Sequence, residues 1–368
     1  MKKLIYITSL LIILSLSCTT IYKFEVNGVT GILVVEGFVS DVSYNDFSEL
    51  PLDPRYFDVR LKITSPVTNQ ADEPVSDAIV FLSDDANLRW DYVEIENGLY
   101  RLFYDDFKVE EMVSYKLNIE LTNGEQYESG FELPPRQSAR GEIVYQESTS
   151  EDYKVELGET IITSLRGLDL RIQIPQDQSF SEFVYNKWDY VATYGFIAWL
   201  NPGPSDPNYK CWVSEDLFFR DYTLAKEKLI GNLHDLFFFN TGTSRIHEGF
   251  SVLIRQQSLS ESHHTFWQDL QSQKKQSELF SPPPYNPISN IYALNNDKEA
   301  YGYFGVVREQ FYRWTFSKDM VSYNIVYPES LKNSCNIPLP PPSCFDCTKF
   351  ELVSRSSSTN TEPEWWQN

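Results

Sequence analysis

The first third of the chain alternates apolar and polar residues with a period of two. Residues 57–64 and 115–121 both follow this pattern, with every second side chain apolar and the intervening ones charged or polar. A period of two with one polar face predicts antiparallel strands that bury one side. Runs of this kind are separated by Asn-Gly turns at 97–98 and 123–124. About seven short strands in roughly a hundred residues predict a β-sandwich over residues 30–135.

Two prolines at 134–135 end the last of these strands and mark a domain boundary. The alternation resumes at 168–174, and residues 183–199 hold seven aromatic side chains. Residues 136–334 are therefore predicted to form a larger, aromatic-rich β domain, followed by a proline- and cysteine-rich tail at 335–368. The predicted fold class is mainly β: an N-terminal sandwich of the immunoglobulin or transthyretin type, then a larger β-rich domain with one or two helices.

Two stretches of the second domain have helical spacing. Apolar residues recur near every third or fourth position in residues 222–236, which predicts a first helix. A second helix is predicted after residues 258–261, Ser-Leu-Ser-Glu, which fit a capping box for free backbone amides. Phe266 and Trp267 are expected to face inward from this helix. It is expected to end near Lys274, where a cation suits the helix dipole.

The chain begins with a secretory signal. Two lysines precede an apolar run at residues 4–16, which is shorter than the roughly 20 residues that a membrane-spanning helix needs. A basic start, a short apolar stretch and small residues before a cysteine are typical of a lipoprotein signal. We expect residues 1–17 to be removed, Cys18 to carry acyl chains such as palmitate, and residues 18–29 to form a lipidated tether.

The charge of the chain limits its partners. A formal net charge of −21 argues against binding to nucleic acid and against electrostatic docking on anionic lipid. The lipid on Cys18 is therefore expected to hold the protein to its membrane. Hydrophobic residues make up 42% of the chain and aromatic residues 15%, so there is ample material for hydrophobic cores.

Four cysteines remain beyond the lipidation site: Cys211, Cys335, Cys344 and Cys347. In an oxidising compartment an even number predicts two disulfides. The favoured pairing joins Cys344 to Cys347 locally, or joins one of these two to Cys211. A four-cysteine zinc site would need a second C-x-x-C pair. The prolines before Cys344 argue against the strand that would lead into a redox motif.

The common hydrolase and metalloenzyme motifs are missing from the sequence. His263 and His264 fall early in the second predicted helix, where neighbouring side chains point about 100° apart. Both are therefore predicted to be solvated rather than to bind one metal. No catalytic residue, metal ligand or cofactor is predicted.

Aromatic side chains are the one feature that suggests a ligand. Exposed faces of Trp188, Trp199 or Trp212 could stack on the rings of a glycan cargo, and a peptide cargo is a further option. The alternative is that these side chains fill the core of a large β-sandwich, since aromatic residues bury much apolar area. The core interpretation is favoured, and the three tryptophans stay candidate ligand-binding residues.

Four groups of residues resemble, in order, the motifs of a known family. They are the Val-Val-Glu-Gly strand within 33–39, the segment 74–80 with its continuation at 98–100 and 115–117, the proline loop at 280–284 with the Gly-Tyr-Phe strand at 302–304, and the Cys-Phe-Asp-Cys motif at 344–347 with the ending at 363–366. The mature chain resembles, over nearly its whole length, the Bacteroidetes lipoprotein family known as domain of unknown function 4249.

The resemblance implies a role beside a receptor. Members of that family are commonly encoded beside SusC-like TonB-dependent receptors, and the family supplies no catalytic residues. It implies an accessory or binding lipoprotein of the outer membrane, acting in nutrient uptake or envelope assembly. The cell-surface leaflet is favoured over the periplasmic face. Two other hypotheses stay open: a free-standing surface glycan-binding protein, and a hydrolase that uses paired carboxylates.

Overall fold

Three β-sheets and one α-helix account for most of the chain that the structure describes. The computed structural model describes residues 31–46, 56–65, 72–156, 159–175, 183–217, 222–227, 233–275, 287–325, 335–350 and 357–366. The predicted signal, Cys18, the tether and the proline loop lie outside these ranges. Within them the prediction of a mainly β fold is confirmed.

The largest sheet contains eleven strands. They are β1 (Leu33–Ser40), β2 (Phe57–Ile63), β3 (Glu73–Pro74), β6 (Val93–Glu96), β7 (Leu99–Leu102), β12 (Val184–Ile197), β13 (Lys210–Asp216), β14 (Thr223–Glu227), β16 (Phe250–Leu259), β18 (Ala300–Thr315) and β19 (Ser357–Thr359). The strand order is β19-β13-β12-β16-β18-β1-β2-β7-β6, while β14 pairs with β12 and β3 pairs with β2.

Two smaller sheets and the helix complete the fold. The five-stranded sheet, in the order β17-β9-β8-β4-β5, contains β4 (Ile79–Asp84), β5 (Arg89–Asp91), β8 (Tyr115–Glu120), β9 (Gln126–Ser129) and β17 (Ile291–Ala293). The three-stranded sheet, in the order β10-β11-β15, contains β10 (Glu142–Glu156), β11 (Glu159–Gln173) and β15 (Leu233–Asn240). Helix α1 spans Glu261–Lys275, and short 3₁₀ turns lie at Ser244–Ile246, Lys318–Met320, Pro342–Cys344 and Cys347–Lys349.

Strand β18 joins the two halves of the large sheet. Its first half, 300–307, pairs in parallel with β1, and its second half, 308–315, pairs antiparallel with β16. Sixteen residues of extended chain span about 50 Å. One strand therefore runs through both halves of the molecule. We call the end where Ala300 lies opposite Leu33 the proximal end, and the end at Thr315 the distal end.

The close approach of β1 and β18 depends on a glycine. Gly302 has a φ of +108°, and a Cβ atom there would lie 1.9 Å from the carbonyl oxygen of Val35. A side chain at this position would clash with backbone that has no freedom to move, and only glycine adopts such a φ without strain. Gly302 therefore lets the parallel pairing form between strands from opposite ends of the chain.

The proximal core lies between the five-stranded sheet and the β1-β2-β7 half of the large sheet. Alternate residues of β2 and β8 are buried there, as the period of two predicted. Phe304 of β18 and Ile291 of β17 belong to the same core, so residues distant in sequence complete the first sandwich. The domain boundary that the two prolines at 134–135 predict stays a prediction.

The distal core lies between the three-stranded sheet and the β12-β16-β18 half of the large sheet. Leu168 and Leu170 of β11 face Trp188 of β12, Phe250 of β16 and Trp314 of β18. Burying one large aromatic side chain stabilises the fold by about 2–3 kcal/mol. The aromatic-rich composition of residues 183–199 is thus used to fill a core.

Of the two predicted helices, one is confirmed and one is wrong. Helix α1 follows Ser260, whose Oγ accepts a hydrogen bond from the backbone N–H of His263 at 3.3 Å, so Ser260 rather than Ser258 is the cap. The helix predicted at 222–236 is wrong, because β14 and β15 occupy its described parts. In β15 the two leucines at helical spacing do not share a buried face, since Leu233 is exposed and Leu236 is buried. Pairing of β14 with β12 and of β15 with β11 outweighs a weak helical preference.

Candidate functional site

The four cysteines form two disulfides. One joins Cys211 to Cys347, and the other joins Cys335 to Cys344. The alternative in which one cysteine of the C-x-x-C motif bonds to Cys211 is confirmed, while the local bond between Cys344 and Cys347 does not form. The two residues lie in successive 3₁₀ turns, which bring Cys347 into the distal core and leave Cys344 to a different partner.

Two of the three candidate tryptophans are buried. Trp188 has no exposed surface, and its Nε1 donates a hydrogen bond to Oε1 of Gln256 at 3.1 Å. Trp212 is 6% exposed and contacts Trp366 edge to face. Neither ring has a free face for a sugar, so their assignment as ligand-binding residues is wrong and the core interpretation holds. Trp199 is 40% exposed at the distal end.

The histidine pair of α1 is buried, so the prediction that it is solvated is wrong. The His263 ring stacks on Tyr303 at a centroid distance of 4.5 Å, and its Nε2 accepts a hydrogen bond from Nε1 of Trp267 at 2.9 Å. The His264 ring lies 5.1 Å from that of Tyr185. The first turn of α1 lies against the large sheet, so both neighbours are enclosed. No cluster of three or more potential metal ligands occurs in the described ranges.

Burial of His263 makes the stability of the protein dependent on pH. Burial, together with the charges of Lys187 and His264, lowers the pKa of His263 to about 3. In the unfolded chain the His263 imidazole binds a proton below about pH 6.5, whereas in the folded protein it binds one only near pH 3. The contribution of neutral His263 to stability is therefore lost as the pH falls from about 6.5 to 3.

We expect His263→Gln to reduce the acid sensitivity of the fold. Between about pH 6 and pH 4, the wild-type protein should lose about 2–3 kcal/mol more unfolding free energy than the variant. Urea denaturation at a series of pH values measures the difference. His247→Gln, at an exposed histidine, is the matched control. Its unfolding free energy should change with pH as that of the wild-type protein does. If the unfolding free energy of His263→Gln changed with pH in the same way as that of the wild type, a neutral buried imidazole would be contradicted.

A network of charged side chains lies beneath α1. Lys187 Nζ is 2.6 Å from Asp189 Oδ1, and Arg255 Nη2 is 2.7 Å from Asp189 Oδ2. Gln257 Nε2 donates to Oε1 of Glu309 at 3.1 Å. Burial lowers the pKa of Lys187, partly offset by Asp189. Burial alone would raise the pKa of Asp189, but the two cations together hold it below its usual range.

This network is enclosed rather than open to a substrate. The Lys187 ammonium lies 4.7 Å from the ring centroid of Trp267 and 5.3 Å from that of Tyr222, so these rings cover it. The Lys187 side chain is 6% exposed and that of Glu309 is not exposed at all. Asp189 and Arg255 are partly exposed, at 21% and 32%, but they pair with each other, and internally paired charges of this kind fit a structural role.

A long hairpin projects from the distal end. Strands β10 and β11 pair over their whole length, but β15 pairs only with the Gly167–Gln173 part of β11. Residues 149–156 and 159–166, which we call the arm, therefore extend beyond the three-stranded part of the sheet. Eight residues of strand correspond to about 25 Å. Phe239 of β15 lies against Phe250 and Phe316, which places the base of the arm at the distal end.

The inner face of the arm continues the face that forms the distal core. Alternate residues of β11 point to the same side, so Ile162 shares the side of Leu168 and lies opposite Tyr153 of β10. Leu168 is fully buried, whereas Ile162, Tyr153 and Val155 are 58%, 62% and 73% exposed. Three large apolar side chains are thus exposed on this face, which they share with Glu151, Ser164 and Arg166.

A second group of exposed apolar side chains lies on loops held by the disulfides. Leu200 donates its backbone N–H to the carbonyl oxygen of Cys344 at 2.8 Å, and Asn201 Nδ2 donates to that of Phe345 at 2.8 Å. Trp199, Leu200, Leu339 and Phe345 are each at least 40% exposed. The distal end therefore carries apolar residues both on the arm and on rigidly held loops.

The arm was not anticipated from the sequence. Residues 142–173 contain two strands separated by the Leu157-Gly158 pair, which is a usable turn signal. Exposure of Tyr153 and Ile162 could not be read from that pattern, because the same alternation occurs in strands whose apolar face is covered. The candidate functional site is the distal end, with the arm as its main feature.

The comparison with known proteins gives a family. No described helix has both the length and the hydropathy to cross a membrane. No curated protein and no solved structure gives a significant match. The model of one family, Domain of unknown function (DUF4249), matches residues 19–313, which include the proximal core, most of the distal core and the arm. The chain therefore belongs to the family described as Domain of unknown function (DUF4249).

Proposed function

We propose that the protein is an outer-membrane lipoprotein that serves as a non-catalytic binding subunit, with a TonB-dependent receptor as its partner. The observation that carries the proposal is the arm, whose exposed apolar residues continue a core-forming face. Large apolar side chains grouped on one exposed face are typical of surfaces that are buried in a complex. The predicted signal at residues 1–17, followed directly by Cys18, supports the membrane anchor.

The two ends of the molecule suit different tasks. The described chain begins at Gly31, close to the proximal end, where β1 lies beside the start of β18. The arm and the disulfide-held loops lie at the distal end, about 50 Å away along β18. A lipid on Cys18 would hold the proximal end, which leaves the distal end accessible to a partner and to its glycan or peptide cargo.

The experiment is co-purification of the tagged protein from gently solubilised outer membranes. We expect a TonB-dependent receptor in stoichiometric amounts, quantified by mass spectrometry. Cys18→Ala should move the protein out of the membrane fraction, because the acyl chains supply the anchoring free energy. Mature protein found free in the medium, unlipidated and alone, would contradict the proposal.

Removing the apolar side chains of the arm should disrupt this complex. We expect Tyr153→Ser combined with Ile162→Ser to reduce the co-purified receptor at least roughly tenfold, since two buried apolar anchors contribute more than 1.4 kcal/mol. The matched control is Ile79→Ser with Tyr292→Ser, which changes residues of similar exposure, 51% and 56%, at the proximal end. Equal losses for both pairs would remove the arm from the interface.

A further inference from the structure

The outer edge of β10 has no partner strand among the described residues. In the three-stranded sheet, β10 pairs only with β11, over fifteen residues. Along the arm, the ion pair of Lys154 with Asp152 and the hydrogen bond of Tyr153 to Glu151 both stay within β10 itself. An open edge of this length presents a row of backbone donors and acceptors to which another strand can bind.

The charge of the arm restricts what can bind there. Between residues 151 and 162 the sequence contains four carboxylates, at positions 151, 152, 156 and 159, and one lysine, Lys154. Lys154 Nζ lies 3.7 Å from Asp152, so the lysine is already shared with an acid of the arm. The remaining negative charge repels anionic lipid headgroups and the arm of a second copy. It attracts a segment with basic side chains.

We propose that an extended segment of a partner protein, bearing lysine or arginine at alternate positions, pairs with the free edge of β10 as a fourth strand of the three-stranded sheet. Its alternate apolar side chains cover Tyr153 and Val155 on the inner face. Its basic side chains lie on the outer face, the side of Asp152 of β10 and of the exposed Glu159 of β11. This inference rests on the proposed function as a binding subunit and specifies the chemistry of the partner.

Short synthetic peptides test the pairing on the full-length lipoprotein in detergent. The probe is a fluorescent peptide of alternating lysine and valine, compared with its glutamate–valine counterpart. A third peptide has the lysine–valine sequence with alternate backbone amides methylated. Fluorescence anisotropy measures each dissociation constant. We expect the glutamate and the methylated peptides to bind at least roughly tenfold more weakly, because one loses charge attraction and the other loses backbone hydrogen bonds.

Charge reversal locates the binding site. Asp152→Lys with Glu159→Lys, both on the outer face, should weaken the lysine–valine peptide at least roughly tenfold. Glu96→Lys with Asp297→Lys changes the charge equally at exposed positions of the proximal end and should leave binding unchanged. Equal affinity for the three peptides, or equal effects of the two charge reversals, would overturn the proposal. A dimer detected by light scattering in the wild-type protein, and lost in the Asp152→Lys/Glu159→Lys variant, would also overturn it.

The two proposals fail in different ways. If the receptor co-purifies and is lost with the Tyr153→Ser/Ile162→Ser variant, yet the peptides show no preference, strand addition is overturned and the binding function stands. If no receptor co-purifies, the proposed function fails whatever the peptides do.

Discussion

Replacing Cys211 and Cys347 together by alanine is expected to lower the free energy of unfolding by about 5 kcal/mol. The bond closes a loop between residues 136 positions apart, so it removes many conformations from the unfolded chain. Both sulfurs belong to the distal core, where Cys211 and Cys347 have no exposed surface. Chemical denaturation of the oxidised protein, followed by tryptophan fluorescence, measures the change.

The second disulfide is the natural control for the first. Cys335→Ala with Cys344→Ala opens a loop of only 9 positions, which corresponds to about 2.5 kcal/mol by the same relation. The free energy of unfolding is therefore expected to be highest for the wild type, lower for the Cys335/Cys344 variant and lowest for the Cys211/Cys347 variant. An equal loss from both pairs would show that loop length does not govern their contributions.

Asp189→Asn is expected to destabilise the protein by about 3–5 kcal/mol. Asp189 lies between Lys187 and Arg255, and the substitution leaves the buried Lys187 ammonium and the partly buried Arg255 guanidinium without the carboxylate that both contact. The midpoint of urea denaturation, compared with that of the wild-type protein, measures the loss.

An exposed ion pair provides the comparison for Asp189. Arg89 and Asp91 form a salt bridge in which both side chains are about half exposed. Asp91→Asn removes it, and we expect a change between about 0 and 1 kcal/mol because solvent screens the charges. If Asp189→Asn cost no more than Asp91→Asn, the network would not be a buried one.

The arm gives the distal end an unusual combination of properties. It has exposed apolar side chains on its inner face and is open along one edge, while the neighbouring loops are fixed by disulfides. Loops that are fixed in this way lose less conformational entropy when a partner binds. These features support the proposed role as a binding subunit.

Several elements could be predicted because their signal is local. The alternation in β2 and β8 follows from the pleat of a strand, which places successive side chains on opposite faces. Helix α1 follows from a cap and an apolar stripe within one short segment. Motifs spread along the chain were sufficient to indicate the family.

Other features depend on contacts between distant parts of the chain. The leucines of 222–236 have helical spacing, yet pairing with the neighbouring strands β12 and β11 makes the described parts of this segment extended. The burial of His263 and Trp188 depends on which layers cover them, and the partner of Cys347 depends on where β13 lies. None of these can be read from residues close in sequence.

The sequence by itself determined the β-rich class, the capped helix, the even set of cysteines and the family, since each is encoded in local pattern or composition. The tertiary structure alone decided that β1 pairs with β18, which cysteines bond, which aromatics are buried and that Tyr153 and Ile162 remain exposed. The physical reason is that burial is a property of a covering layer. A strand carries the same alternation whether that layer is its own protein or a partner.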